Sequence, residues 1–323
     1  MIITRTPLRI SLGGGGTDLP SYYRQAGGGF LIAAAISKYV FIAINDNFED
    51  TILLKYSEVE RVGDASSIQH PLLREAVLLS GIHHGIEISA MADIPAGTGL
   101  GSSGSFTVGL VRALRAYQHQ SVSNVELAED ACHIEIDRLG EPIGKQDQYI
   151  SAVGGIAAFE FRPDEQVAGS PVRLSSSSRH AVEENLLLFY TGIRRSASEM
   201  LAVEQMPGAN VNDNLDAVKH LGHQAHEALE SDDLERFGAL LSDQWALKFK
   251  RSPGEAHREI DGWIREGIEA GAAGGKLVGA GGGGFLLFYA EHKADLRAAM
   301  AARGLEEVRF RIDYEGSATI VSQ

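Results

Sequence analysis

Between Pro95 and Phe106 the chain reads P-A-G-T-G-L-G-S-S-G-S-F, with four glycines, three serines and no charge. It follows an alternating apolar stretch, Gly85 to Ile94, and runs into an amphipathic segment, Thr107 to Tyr117. A flexible turn that empties into a helix N-terminus presents unpaired N–H groups and the positive end of the helix dipole, an arrangement suited to phosphate. Three phosphate-cradling loops compete for this segment. The P-loop needs a lysine after its glycines, and none is present. The dinucleotide fingerprint G-x-G-x-x-G fits at Gly99, Gly101 and Gly104, but the preceding strand alternates where a Rossmann strand would be continuously apolar. The protein-kinase loop matches loosely, yet neither H-R-D nor D-F-G occurs in the chain. A surface turn is the bland alternative, and the serine pair speaks against it. Ser102 and Ser103 fall in the first turn of the helix, where a hydroxyl either caps the helix or ligates a hard cation.

Two carboxylates and an arginine lie in patterns that suit the same chemistry. Ala128, Ala131, Cys132 and Leu139 share one helical face, and Glu135 falls among them. An ionised carboxylate on an apolar face is costly unless a cation or strong donors compensate it. Glu135 is therefore either a metal ligand or an edge residue whose head reaches water. Asp147 follows the Pro/Gly turn 141–144, which either aims it at a cleft or makes it the cap of the next helix. Near the N-terminal end, Arg5-Thr-Pro-Leu-Arg9 precedes the glycines at 13–16 and then Thr17 and Asp18. An arginine on a strand beside such a turn is either an exposed charge or a stabiliser of an anion formed in the turn.

These residues need elements to carry them. Alternation predicts strands over 2–12, 39–48, 51–56, 85–94 and 155–161, and 3.6-residue periodicity predicts helices over 71–79, 103–117 and 125–139. The last of these is announced by a capping box, Ser123-x-x-Glu126. The polar stretch 162–184, with serines at 175–178, is the expected boundary between an N-terminal domain, 1–170, and a C-terminal one, 171–323. A buried strand at 186–190, a mostly helical region to Gly271, the segment 276–289, a helix at 293–302 and strands at 308–313 and 318–321 complete the chain. Strands and helices without regular alternation give an α+β class.

The composition narrows the partners. At 44% hydrophobic and 22% charged, the 323 residues describe an ordinary globular protein. A net charge of −14 argues against nucleic acid or an anionic membrane, so a phosphate site must concentrate its cations locally. The lone Cys132 allows no intrachain disulfide and fits a cytoplasmic location. No apolar run is long enough to predict a membrane span, and the opening residues read as a strand, not a signal peptide. No zinc motif is present, and His83-His84 reads as a solvated pair.

Three motifs together resemble the GHMP kinase superfamily, which takes in galactokinase, homoserine kinase, mevalonate kinase and phosphomevalonate kinase. They are P-L-R-I-S-L-G-G-G-G-T-D from Pro7, P-A-G-T-G-L-G-S-S from Pro95, and K-L-V-G-A-G-G-G-G-F from Lys276. The resemblance spans nearly the whole chain. It implies an N-terminal α+β domain that holds ATP through Pro95, Gly97, Gly99, Leu100, Gly101, Ser102, Ser103 and Gly104, and a ferredoxin-like C-terminal domain that closes the cleft. By the same resemblance Ser103 and Glu135 hold Mg²⁺, and Asp147 accepts or orients the proton of the attacking hydroxyl. Arg9 then anchors Asp147 and lowers the pKa of the acceptor hydroxyl. Acceptor contacts are expected from Gly15, Gly16, Thr17, Asp18, Gly281 and Gly282.

Within the superfamily the motif forms look most like bacterial heptose 7-phosphate kinases, and they are also similar to the kinase part of fucokinase. This implies phosphoryl transfer to the anomeric hydroxyl of a sugar phosphate by a small-molecule kinase, for which a homodimer is a possible assembly. A phosphorylated acceptor needs a second cationic pocket, for which Arg195 ranks first, followed by Lys248 and Lys276. Another sugar 1-kinase, an NAD-dependent oxidoreductase and a non-catalytic sugar and ATP sensor are the alternatives.

Overall fold

The computed structural model describes residues 1–193, 211–251, 254–279 and 282–322. Among them two sheets form, of eight and four strands. The larger is built around a long antiparallel pair, β1 (Ile2–Gly13) and β2 (Gly29–Asp46), with α1 (Pro20–Tyr23) in the connection. The two-residue period of β1 sends Thr4, Thr6, Leu8, Ile10 and Leu12 fully into the core. Arg9 and Ser11 point to the other side, where they are also buried. β2 begins well before the expected Tyr39. Its first half, FLIAAAI, is apolar on both faces because it pairs with β1 and with β6 (Ile156–Phe161), and a continuous apolar run carries no period to read.

The sheet continues through β3 (Ile52–Lys55), β4 (Val59–Val62) and, after α2 (Pro71–Ser80), β5 (Ile86–Ala92). β5 runs antiparallel to β2 and parallel to β3, so the Gly-rich loop after it is not the first turn of a doubly wound parallel sheet. α3 (Ser102–Tyr117) packs under β1 and β2. α4 (Asn124–Cys132) opens with the expected capping box. The helix expected through 139 ends its regular part at Cys132, and residues 133–138 widen into a π-helical turn. There the amide of Leu139 donates to the carbonyl of Ile134, and Glu135 is turned inward, where it is 1% exposed. This overturns the edge reading of Glu135, because a widened turn breaks the 3.6-residue stripe on which that reading rested.

α5 (Gln146–Val153) leads into β6, which pairs with β7 (Val167–Pro171). The polar stretch at 162–184 therefore contains a strand, and its serines start a helix, α6 (Ser176–Asn185). Ser175 caps that helix by accepting from the Ser178 amide, and Asp232 accepts from both hydroxyls.

The smaller sheet follows a β-α-β-β-α-β plan. β8 (Leu186–Tyr190) is followed by α7 (Val211–Glu230), α8 (Leu234–Arg251) and α9 (Glu255–Glu269). Then come β9 (Gly274–Leu277), β10 (Phe285–Tyr289), α10 (Lys293–Ala302) and β11 (Glu306–Glu307). The spatial order β11-β8-β10-β9 with antiparallel pairing is the expected ferredoxin-like arrangement. Phe189, Trp245, Ile260, Ile264, Leu286 and Phe288 form its own core.

The strand expected at 308–313 is absent because this segment changes sheets. Val308 donates to Leu188 of the small sheet, while Asp313 donates to Ala35 of the large one. The chain then adds β12 (Ala318–Ser322) antiparallel to β1. Among the described residues, no helix is long and apolar enough to cross a membrane.

Candidate active site

The Gly-rich loop lies between β5 and α3 and is held from both sides. The Arg9 amide donates to the carbonyl of Leu100 at 3.0 Å, tying the loop to β1. Gly99 and Gly101 adopt left-handed φ values of 80° and 74°, and a Cβ on Gly99 would stand 2.7 Å from the carbonyl oxygen of Val278. The loop thus packs backbone to backbone against the third glycine-rich segment. No side chain caps α3, which leaves its first-turn amides for a ligand.

Arg9 and Asp147, 138 residues apart, form a bidentate pair: Nε donates to Oδ1 at 2.7 Å and Nη2 to Oδ2 at 2.8 Å. The third guanidinium nitrogen, Nη1, donates to the Gly99 carbonyl, so Arg9 joins the loop to the carboxylate. Arg9 is 4% exposed, and the Asp147 side chain is 24% exposed at the cavity surface. Asp147 stands in the first turn of α5, whose cap position is Lys145 and has no side-chain cap. The capping reading of Asp147 is therefore replaced by the pair with Arg9.

Glu135 accepts from the Ser103 hydroxyl at 2.5 Å and from Gln148 Nε2 at 2.9 Å. Burial pushes its carboxyl up to about 7, against the opposing effect of these hydrogen bonds. Asp18 is buried as well and accepts from the amides of Gly16 at 3.1 Å and Gln146 at 3.0 Å. Burial raises its pKa, backbone hydrogen bonds oppose that rise, and the neighbouring Asp147 charge adds to it.

These groups share one cavity of about 970 Å³ between the two sheets. Of the residues singled out in sequence, Arg9, Gly15, Gly16, Asp18, Gly97, Gly99, Gly101, Ser102, Ser103, Gly104, Glu135, Asp147 and Gly282 line it, with Lys248 and Lys276. Pro95, Leu100 and Thr17 are not among its walls. Leu100 packs its side chain into the core and accepts from Arg9 through its carbonyl. The Thr17 hydroxyl is consumed internally: it donates to Gly14 and Phe30 carbonyls and accepts from the Phe30 amide, which makes Thr17 a brace for the 13–16 turn and corrects its assignment as an acceptor contact. Arg195 and Gly281 lie outside the described residues.

Sequence reasoning missed the apolar half of the cavity, formed by Tyr56, His70, Met91, Ile94 and Phe106. His70 meets Tyr56 edge-on at 4.8 Å and lies 5.6 Å from Phe106. These residues come from separate segments with no shared motif, so no spacing in the sequence announces them. Missed too were Ser11, Gln146, Gln244 and Arg251, which line the polar half.

Residues 68–155 match the family model of the GHMP kinases N terminal domain, and residues 225–305 match that of the GHMP kinases C terminal domain. The chain belongs to the GHMP kinases. This GHMP kinase is 28% identical over 313 residues to the D-glycero-alpha-D-manno-heptose 7-phosphate kinase of Campylobacter jejuni, an alignment covering 90% of this chain and 89% of that one. It is 27% identical to the bifunctional fucokinase/GDP-fucose pyrophosphorylase of Arabidopsis thaliana over 88% of this chain and 29% of that longer protein. The crystal structure of a D-glycero-D-manno-heptose 1-phosphate kinase from Bacteriodes thetaiotaomicron superposes with a TM-score of 0.80 at 23% identity, covering 99% of both chains. Lactococcus lactis galactokinase complexed with galactose superposes with a TM-score of 0.76 at 19% identity, over 100% of this chain and 95% of that one. The structural likenesses establish the GHMP kinase fold, in which all three glycine-rich segments border one cleft.

Proposed function

We propose that this kinase transfers the γ-phosphoryl group of ATP to the anomeric C1 hydroxyl of D-glycero-D-manno-heptose 7-phosphate, giving the 1,7-bisphosphate. The observation that carries the reading is the bidentate Arg9–Asp147 pair set beside the uncapped N-terminus of α3 in a single cavity. The residues fit the nucleotide. The apolar end at Tyr56, His70, Met91 and Phe106 suits a base, and the loop 97–104 suits phosphates. They also fit a magnesium ion, which takes hard oxygen ligands from one or two carboxylates and leaves the rest to phosphate and water. Ser103 and Glu135 supply such a pair, and a buried carboxyl raised to about 7 is one that a cation would return to its ionised form. When bound there, Mg²⁺ would neutralise charge on the phosphate oxygens.

The chain's own residues then position the acceptor. Each Asp147 oxygen keeps one acceptor direction after pairing with Arg9, so the carboxylate orients the attacking hydroxyl and takes its proton as the new P–O bond forms. Arg9 fixes that carboxylate and holds the Gly-rich loop at the same time, which sets donor and acceptor at a constant separation. Asp18, locked by two backbone amides, accepts from sugar hydroxyls.

The test is ADP release with Mg·ATP across heptose 7-phosphate, fucose, galactose and mannose, in wild type and Asp147→Asn. Turnover of heptose 7-phosphate is expected to be highest, and the variant should lose about 100-fold or more in kcat. Faster turnover of an unphosphorylated sugar would assign the enzyme to the fucokinase-like sugar 1-kinases. Unchanged kcat in the variant would remove Asp147 from the chemistry.

A further inference from the structure

We infer that Lys276, Ser11 and Gln244 form a built anion subsite at the acceptor end of the cavity, and that it takes the phosphoryl group already carried by the sugar. The inference rests on the sugar-phosphate reading above.

Lys276, on β9, lines the cavity and is 6% exposed. Among the described residues its ammonium has one hydrogen-bond partner, Gln244 Oε1 at 3.1 Å, and no carboxylate within ion-pair distance. Gln244 is itself fixed, since its Nε2 donates to the carbonyls of Leu12 at 3.1 Å and Leu240 at 3.2 Å. The ammonium is thus held in place by a group that cannot neutralise it. Burial, with the positive charges of Lys248 and Arg9 added to it, pulls its pKa down to about 7. A buried ammonium surrounded by cations is unfavourable until an anion arrives.

Two further observations place that anion. Ser11 is 5% exposed, lines the cavity, and its Oγ has no hydrogen-bond partner in the described structure. It lies on the same face of β1 as Arg9, two residues on, which is roughly 7 Å along an antiparallel strand. Arg251, on α8, reaches the neighbouring turn, with one guanidinium nitrogen 3.9 Å from where a Cβ on Gly16 would stand. Arg9 pairs with Asp147, while Gln244, which holds the Lys276 ammonium, is anchored on the carbonyl of Leu12, the residue of β1 next to Ser11. One pleat of β1 therefore separates two anion positions, comparable to the reach from a sugar's anomeric oxygen to a phosphate on its exocyclic carbons.

The experiment compares Lys276→Met and Lys276→Arg with wild type, using heptose 7-phosphate, the same heptose without its phosphate, and inorganic phosphate as a probe. Lys276→Met is expected to lower the preference in kcat/KM for the phosphorylated over the unphosphorylated sugar by about 100-fold, with most of the change in KM, and Lys276→Arg to restore part of it. With Mg·ADP saturating the Gly-rich loop, inorganic phosphate should compete with heptose 7-phosphate and raise the melting temperature of wild type, but not of Lys276→Met. Equal losses on both sugars, or a rise confined to the KM for ATP, would overturn the subsite by assigning Lys276 to the donor. The two readings fail separately. If no sugar elicits ADP release yet phosphate stabilises only wild type, the kinase reading falls and the subsite stands. If sugars are phosphorylated and phosphate binds Lys276→Met as well as wild type, the subsite falls alone.

Discussion

Gly104, in the first turn of α3, offers the sharpest test of how the site is held. A Cβ at this position would stand 2.7 Å from the Cβ of Asp147, and 3.2 Å from both the Asp147 carbonyl carbon and the Gln148 amide nitrogen. Carbon atoms pack at about 3.5–4.0 Å, so Gly104→Ala forces α3 and α5 apart by roughly 1 Å. Such overpacking costs about 1–3 kcal/mol, and the better helix propensity of alanine returns up to about 1 kcal/mol. The net loss of about 0–2 kcal/mol leaves a domain of ordinary stability folded. Asp147, by contrast, moves with its backbone, and a displacement on the order of 1 Å at a reacting centre costs about 100-fold in rate. The assay is steady-state ADP release beside urea denaturation. The control is Gly109→Ala, farther along the same helix, where the added Cβ would meet Thr6 Oγ1 at 2.7 Å and no cavity residue. It is expected to lose comparable stability and to keep its kcat. Wild-type kcat in Gly104→Ala, or an equal drop in both variants, would refute the idea that the contact between α3 and α5 sets the Asp147 carboxylate.

Ser103→Ala and Glu135→Gln should each raise the Mg²⁺ concentration for half-maximal activity by about tenfold or more, read from a magnesium titration at saturating ATP; an unshifted midpoint would take these residues out of metal binding. Gly144→Ala places a Cβ against the Asp18 carboxylate, so Asp18 must move, and the KM for the sugar should rise by about tenfold with a loss of stability of about 1–3 kcal/mol, read from sugar kinetics beside urea denaturation. Burial raises the pKa of Glu165, but hydrogen bonds from Arg24, Lys145 and Tyr23 together outweigh it and hold the carboxyl at about 2. The unfolded chain, with its carboxyl at about 4.3, takes up the proton first, so this contribution is present above that pH and disappears as pH falls towards 2. Glu165→Gln should flatten the acid limb of urea midpoint against pH, and an unchanged slope would exclude Glu165 as a source of it.

What could be read from the sequence was local. The glycine-rich segments announced themselves because a backbone that must approach an anion, or another backbone, tolerates no side chain, and Gly99 against Val278 shows the second demand as clearly as the first. The ferredoxin-like order came from the resemblance to the GHMP kinases, since the periodicity of single segments fixes no order of strands in a sheet. The union of Arg9 with Asp147 depends on a separation of 138 residues that only the fold brings together. The inward turn of Glu135 depends on a π-helical widening that leaves no mark in a 3.6-residue pattern. The segment 308–313 looked like a strand because its residues alternate, yet it is a bridge, since its two ends donate to different sheets. The apolar half of the cavity was invisible because Tyr56, His70, Met91 and Phe106 contribute one residue apiece from four elements or their connections.

The pairing of β12 with β1 carries a consequence for how the molecule is made. During synthesis β1 emerges with almost the entire chain still to come, and its outer edge finds its partner only when residues 318–322 appear. Until then the strand that bears Arg9 is an open template for intermolecular pairing. The late contacts are not confined to backbone: Thr6 Oγ1 meets Ser317 Oγ at 2.9 Å, and Arg5 meets Glu315. A nascent chain can therefore collapse around α3 early, but the edge of β1 from Ile2 to Arg5 is sealed last. Loss of β12 would be felt as a kinase prone to aggregate before it ever turns over.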